Sequence, residues 1–202
     1  YYRPGACALA PHILLHHVGT DHNAVNAPRD AGFRQINPSG AVPALELPNG
    51  DVLTQCSAIL QFIAESAGRA DLLGGNDLHD RAEVAKWCAF FTGDFHPAFF
   101  PVFVPHRYVS STDDAVLAGT KKAGQKLVRG GLDLIEAHLS DRDWFVGNAL
   151  TVADFYSVPM LRWATLIFES GLSDWPGTQA FYDRICAAEA TKAAMSIHQI
   201  KP

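Results

Sequence analysis

The chain has 202 residues, 48% of them hydrophobic and 18% charged, with a formal net charge of −5 when histidine is counted neutral. That much apolar material builds a real core and is unlike a disordered chain. The acidic balance argues against a nucleic-acid partner, since the densest basic group, Lys121, Lys122, Lys126 and Arg129, reads as the solvated face of one helix. No apolar run is long enough to span a bilayer, and no signal-peptide pattern opens the chain. Tyr1 falls mid-strand on this reading, so an initiator Met and a residue or two are expected upstream. Cysteines stand at 7, 56, 88 and 186 without CxxC or disulfide-scaffold spacing, which favours reduced thiols and a cytoplasmic setting.

Tyr1–Pro4 reads as a strand and Pro4-Gly5 as a turn. Residues 8–18 read as a helix stopped by Gly19. A short strand follows at 23–26, then a turn-rich stretch to Asn37-Pro38-Ser39-Gly40. Strands at 44–47 and 52–54 flank Pro48-Asn49-Gly50-Asp51, a hairpin signal. Ser57–Ser66 has helical periodicity, with Ala58, Ile59, Phe62 and Ile63 on one face. The order βαβ then ββα gives a small α/β domain over residues 1–68. Residues 69–78, rich in Gly, Asn and Asp, read as a linker. From 79 to 202 no strand is convincing, and helices are expected over 78–95, 113–139, 151–170, 178–188 and 191–197. Gly119, Gly124, Gly130 and Gly131 cost the second of these helix propensity, which implies close packing against another helix.

Four segments carry chemistry. Cys7 stands where the first strand hands over to the first helix. Unpaired amides and the positive end of the helix dipole meet there, an arrangement that lowers a thiol's pKa. A lone cysteine also serves as a small buried hydrophobe. Ala10, not a second cysteine, stands three residues on, so redox chemistry at Cys7 needs an external thiol. In Ser39-Gly40-Ala41-Val42-Pro43, the proline cannot donate to a ladder and frees the Val42 backbone for a strand-like ligand. In Thr54-Gln55-Cys56-Ser57, a polar helix start caps the helix or offers amides to an anion. Leu150-Thr151-Val152-Ala153-Asp154 reads as a capping box with Asp in place of Glu, worth about 1 kcal/mol.

These four segments, in this order and at these separations, resemble the cytosolic glutathione transferase superfamily over essentially the whole chain. Tyr1–His12 is most similar to the bacterial beta class, whose catalytic residue is a cysteine at the position of Cys7. The resemblance implies an α/β plus all-α fold, with a thioredoxin-like N-terminal domain, a cis peptide at Val42–Pro43 and an all-helical C-terminal domain. It also implies a homodimer with the active site in the interdomain cleft, glutathione as co-substrate, and no separate cofactor. Carried over residue by residue, Cys7 meets the glutathione sulfur. Val42, with Pro43 behind it, pairs with the cysteinyl unit. Gln55 and Cys56 bind the γ-glutamyl end. His96 matches a cleft histidine able to hold a thiolate, bind substrate or move a proton.

Departures from the family pattern are specific. Glu or Gln followed by Ser usually stands where this chain has Gln55-Cys56. Gln55 keeps hydrogen bonding without a charge for the glutathione amino group, and Cys56 replaces a hydroxyl with a weak donor. Ala8 stands where many relatives carry Ser. Arg29 and Arg34 are the only candidates in 28–37 for the glycyl carboxylate, and Ala89 stands where a polar cleft group is expected. Cys56 is either a resolving thiol for a mixed disulfide at Cys7 or a cysteine tolerated in place of serine. Cys88 and Cys186 are expected in the core. Phe90, Phe91, Phe95, Phe99, Phe100 and Phe103 flank His96, at least half in the core and the rest beside an apolar electrophile. His12 and His16 share a helix face, but no acidic or cysteine partner stands at ligand spacing. With His17 they read as surface or interface residues, and no metal is expected. The function expected is a glutathione transferase, conjugating apolar electrophiles or exchanging thiols through Cys7. The alternatives are an isomerase or dehalogenase on the same fold, and a binding or regulatory protein without turnover, which Gln55 and Cys56 favour.

Overall fold

The computed structural model describes residues 1–202. The chain opens on an extended segment held from both sides. Tyr2 N donates to Val25 O (2.9 Å) and Ala27 N to Tyr2 O (2.8 Å), a parallel bridge to Asn26. On the other edge the Tyr1 amino group donates to Ala44 O (2.8 Å). β1 (Ala44–Glu46) pairs antiparallel with β2 (Val52–Thr54), in the register Ala44 to Thr54, Leu45 to Leu53 and Glu46 to Val52. The expected strands 1–4 and 23–26 therefore contract to a single bridge. Pro4 has no amide to donate and Gly5, at φ 70°, turns the chain away. Asn23 and Asn26 are poor strand formers.

α1 (Leu9–Val18) ends at Gly19, whose φ of 72° closes it as expected. It packs against α3 (Cys56–Ser66), and also against two helices from the far end of the chain, α8 (Val152–Ile167) and α10 (Glu189–His198). Three short helices were not expected: α2 (Ala31–Ile36), α5 (His96–Ala98) and α6 (Phe100–Phe103). α2 is capped by Asp30 Oδ1, which accepts from Phe33 N at 3.1 Å. The cap holds the buried Phe33 under Tyr1.

The remainder is helical. α4 (Leu78–Phe90) follows a 3₁₀ turn at Ala70–Leu73, and the chain then widens into a π-helical turn over Phe91–Phe95. The expected helix 78–95 is thus two pieces. α5 (His96–Ala98), α6 (Phe100–Phe103) and a 3₁₀ turn at Pro105–Arg107 are short because Pro97, Pro101 and Pro105 each remove an amide. α7 (Asp114–Leu139), α8 (Val152–Ile167), α9 (Pro176–Ala187) and α10 (Glu189–His198) complete the fold. One core of 41 buried residues runs through α1, α3, α4 and the later helices. No helix is long and apolar enough to cross a membrane.

At the start of α8 the expected capping box is present, with more in it than a cap. Asp154 is fully buried. Its Oδ2 accepts from Thr151 N and Thr151 Oγ1, each at 2.7 Å, and its Oδ1 accepts from Phe145 N at 2.9 Å. The Thr151 hydroxyl thus donates to the carboxylate, and the Asp154 amide turns to the Thr151 carbonyl at 3.1 Å. Burial pushes this carboxyl up to about 6 although three donors hold it down.

The helix glycines divide. A Cβ at Gly131 would collide with the Phe95 ring, and one at Gly124 would lie 2.8 Å from Val102. Gly119 and Gly130 face open space, so helix packing does not account for them. Gly131→Ala should therefore destabilise the protein by about 1–3 kcal/mol through overpacking. Gly130→Ala should stabilise it by about 0.5–1 kcal/mol. Urea unfolding of the two variants beside the native chain measures both signs.

Candidate active site

The turns that precede α1 and β1 converge with the start of α3, with α8 and with the π-helical turn on one cleft of about 830 Å³. It collects every residue singled out by the resemblance: Cys7, Val42, Pro43, Gln55, Cys56 and His96. The Val42–Pro43 peptide is cis, as implied. The Cys7 thiol donates to the Val42 carbonyl across 3.5 Å. Trp163 Nε1 donates to Gly5 O at 2.7 Å and so anchors α8 to the turn before Cys7.

The Cys7 thiol is not acidic in this structure, contrary to the expectation from its helix-start position. It is 8% exposed, and burial pushes it up to about 12, against the pull of the Cys7 and Ala8 amides. Cys56 is buried as well, its thiol donating to the Cys7 carbonyl at 3.6 Å, and burial raises it well above the usual thiol range. The expectation that both helix starts stabilise thiolates therefore fails for one reason. Desolvation raises a buried thiol by several pKa units, and a helix end is worth less than one.

Gln55 is exposed and adopts φ 71°, ψ 121°, one of only two non-glycine residues with positive φ. Such a conformation persists only where its surroundings impose it, and it clusters at ligand sites. His96 follows the π-helical turn, an element that re-aims the residues after it. Its ring lies 4.9 Å from Trp163 and 5.0 Å from Phe100. Burial pushes it down to about 4, so it is neutral at pH 7 and serves as a hydrogen-bonding group without charge.

Several lining residues were not legible. Arg3 and Arg107 join Arg29 and Arg34 around the cleft, with Asp30 the single acidic residue there. Arg3 is committed to structure, donating to Ala27 O, Pro28 O and Gly40 O at 3.0–3.3 Å. Arg34 donates to Pro38 O at 3.2 Å. None of the four pairs with a carboxylate. Thr92, Tyr156 and Trp163 also line the wall, and Thr92 Oγ1 lies 3.1 Å from the Tyr156 hydroxyl. Ala89, expected in the cleft, faces away from it, and Thr92 holds that place. Of the six phenylalanines, Phe91, Phe95 and Phe99 are core and only Phe100 and Phe103 line the cleft. Cys88 and Cys186 lie in the core.

The family models for the Glutathione S-transferase N-terminal and C-terminal domains match residues 5–66 and 91–189. The chain belongs to the glutathione S-transferase family. It is 35% identical over 201 residues to glutathione S-transferase GST-4.5 of Xanthomonas campestris pv. campestris, covering 96% of each. A sphingomonad glutathione S-transferase solved in complex with glutathione superposes with a TM-score of 0.87 at 33% identity, covering 99% of this chain and 98% of that one. A bacterial beta class enzyme from Sphingomonas chungbukensis gives 0.87 at 31% identity, with the same coverage.

Alkylation of Cys7 by iodoacetamide, followed by peptide mass spectrometry, should keep accelerating from pH 7 to pH 10 without a plateau. A rate already level near pH 7 would mean a thiolate that burial does not suppress.

Proposed function

We propose that the chain binds glutathione in this cleft, with its sulfur at Cys7, and transfers the glutathionyl group to apolar electrophiles. The observation that carries this is the charge of the cleft. A chain of net charge −5 lines one cavity with four arginines and a single aspartate, none of the arginines ion-paired, around a cysteine sulfur. Such a set suits a small dicarboxylate bearing a thiol.

The Val42 carbonyl, held by the Cys7 S–H in the ligand-free chain, is the acceptor that a cysteinyl amide would take. The released S–H and the amides of Cys7 and Ala8 then face the glutathione sulfur. Cys7 stays protonated near neutral pH and donates, so the glutathione thiolate is the nucleophile. Its sulfur bonds to the electrophilic carbon and the leaving group departs with the electron pair. Phe100, Phe103 and Trp163 offer an apolar seat for that electrophile, and neutral His96 orients it by a hydrogen bond. Thiol exchange is the slower branch. The small Cys7 thiolate fraction attacks oxidised glutathione, the Cys7–S–S–glutathione bond forms, and one glutathione thiolate leaves. A second copy of the chain is the partner this reading implies.

Calorimetry with glutathione tests the reading. One site per chain is expected, and Gln55→Glu should tighten it about tenfold by restoring a charge for the amino group, a gain of ~1.4 kcal/mol. No heat with the native chain would favour the alternative of a fold kept without turnover.

Cys7→Ser should keep conjugation within about tenfold, because a hydroxyl also donates, and should lose the adduct formed with oxidised glutathione. Conjugation abolished in Cys7→Ser but not slowed by pH would instead make Cys7 the covalent centre of every turnover.

A further inference from the structure

At the opposite end of α1 from the cleft, four imidazoles are packed together. His12 and His16 lie one turn apart on α1 with ring centroids 5.1 Å apart, nearly parallel. His22, on the loop after α1, sits edge-on to both at 5.0 and 4.9 Å. His198, at the end of α10, closes the group from behind His12 at 5.3 Å. His12 is 5% exposed, which overturns the expectation of a surface residue: α1 has no outward face there, because α10 covers it. No carboxylate hydrogen-bonds or ion-pairs with any of the four.

Three of the ring nitrogens have a hydrogen-bonding neighbour, and His198 Nδ1 is buried without one. His22 Nδ1 lies 2.8 Å from Thr20 O; a carbonyl only accepts, so Nδ1 carries the proton and Nε2 keeps its lone pair. His12 Nδ1 lies 3.2 Å from His198 Nε2, which leaves His12 Nε2 over. His12 Nε2 and His16 Nε2 are both buried and have no hydrogen-bond partner. Buried polar atoms without partners are rare, and two side by side ask for a common explanation. One ligand nitrogen from each of His12, His16 and His22 lies within 4.8 Å of the others.

We propose that His12, His16 and His22 form a zinc site, with His198 and the Thr20 carbonyl as the outer groups that orient His12 and His22. Neutral imidazoles suit zinc, and three of them leave a fourth position for water. Tetrahedral zinc at about 2.0–2.1 Å from each nitrogen needs them ~3.3 Å apart, inside the 4.8 Å within which the three now lie. The outer partners are of the kind that fix ligand tautomers: Thr20 O on His22, and His198 on His12. A cavity of about 60 Å³ bordered by His12 and His22, and the partial exposure of His16 and His22, give the ion a route in. The sequence set aside His12 and His16 for want of an acidic or cysteine partner; the missing partner is a third histidine, delivered by the turn at Gly19. Bound there, zinc ties α1 to the following loop and, through His198, to the last helix. The site lies apart from the glutathione cleft and does not depend on it.

Metal-stripped protein titrated with Zn²⁺ against a chromophoric chelator tests this. One ion per chain is expected, bound at least about 10–100-fold more weakly by His16→Ala and by His22→Ala. Both residues are partly exposed, and circular dichroism checks that the variants fold. His79→Ala, in the exposed Asp77, His79 and Asp80 group, should leave binding unchanged. Co²⁺ in the same site should show weak d–d bands and no sulfur charge-transfer band. Zinc should raise the Tm of the native chain and not that of the His16→Ala, His22→Ala double variant. Failure of the native chain to bind a stoichiometric ion overturns the proposal. So does binding kept by the double variant, binding lost in His79→Ala, or a thiolate band that vanishes in Cys7→Ser.

Discussion

α1 is packed on three sides, by α3, α8 and α10, so that Leu9, Ala10, Ile13 and Leu14 keep no exposed surface. Placing Cys7 at the head of such a helix sets two effects against each other. The helix start offers amides and a partial positive charge, worth about 0.3–1 kcal/mol and so less than one pKa unit. Burial removes water from the sulfur and raises a thiol by up to about 3–5 units. Burial wins, and the resting cysteine is a thiol that donates to Val42. The same packing buries His12 five residues further on, where no carboxylate compensates it.

The cleft is shaped by contacts that cross the chain. Trp163 reaches over 158 residues to Gly5, and Arg162 reaches Lys201 O at 2.6 Å. Arg3 gathers the carbonyls of Ala27, Pro28 and Gly40, which holds the loop carrying Arg29 and Arg34 against the cleft. An arginine used in this way fixes the site electrostatically and mechanically, because its fork donates to three backbone carbonyls while its charge stays unpaired. The arginines therefore concentrate positive potential in one concavity of an acidic protein, where the low-dielectric walls focus it.

Local signals in the sequence were sound where a single short-range interaction decides the outcome. Gly19 ends α1 because a left-handed residue is needed there, Asn49-Gly50 closes the hairpin, and Thr151 with Asp154 starts α8. They fell short where packing overrides propensity. The run from Leu78 to Phe95 is helical throughout by pattern, yet Phe91–Phe95 widens to a π-helical turn, with Phe95 against Gly131. α2 was read as turn because six residues carry too little periodicity, although Asp30 was a usable cap signal. Tyr156 and Trp163 carry no signal of their own along the chain, because α8 is apolar on nearly every face.

By itself the sequence determined the resemblance to the family and, through it, the six residues that meet in the cleft, together with the hairpin and the longer helices, since these rest on motifs and short-range spacing along the chain. Only the tertiary structure decided their chemistry. Whether Cys7 is a thiolate or a thiol, whether His96 is charged, which phenylalanines face a ligand, and whether three histidines share one point all depend on what lies within a few ångströms across the fold. Dielectric and distance set those outcomes, and neither is written in the local sequence.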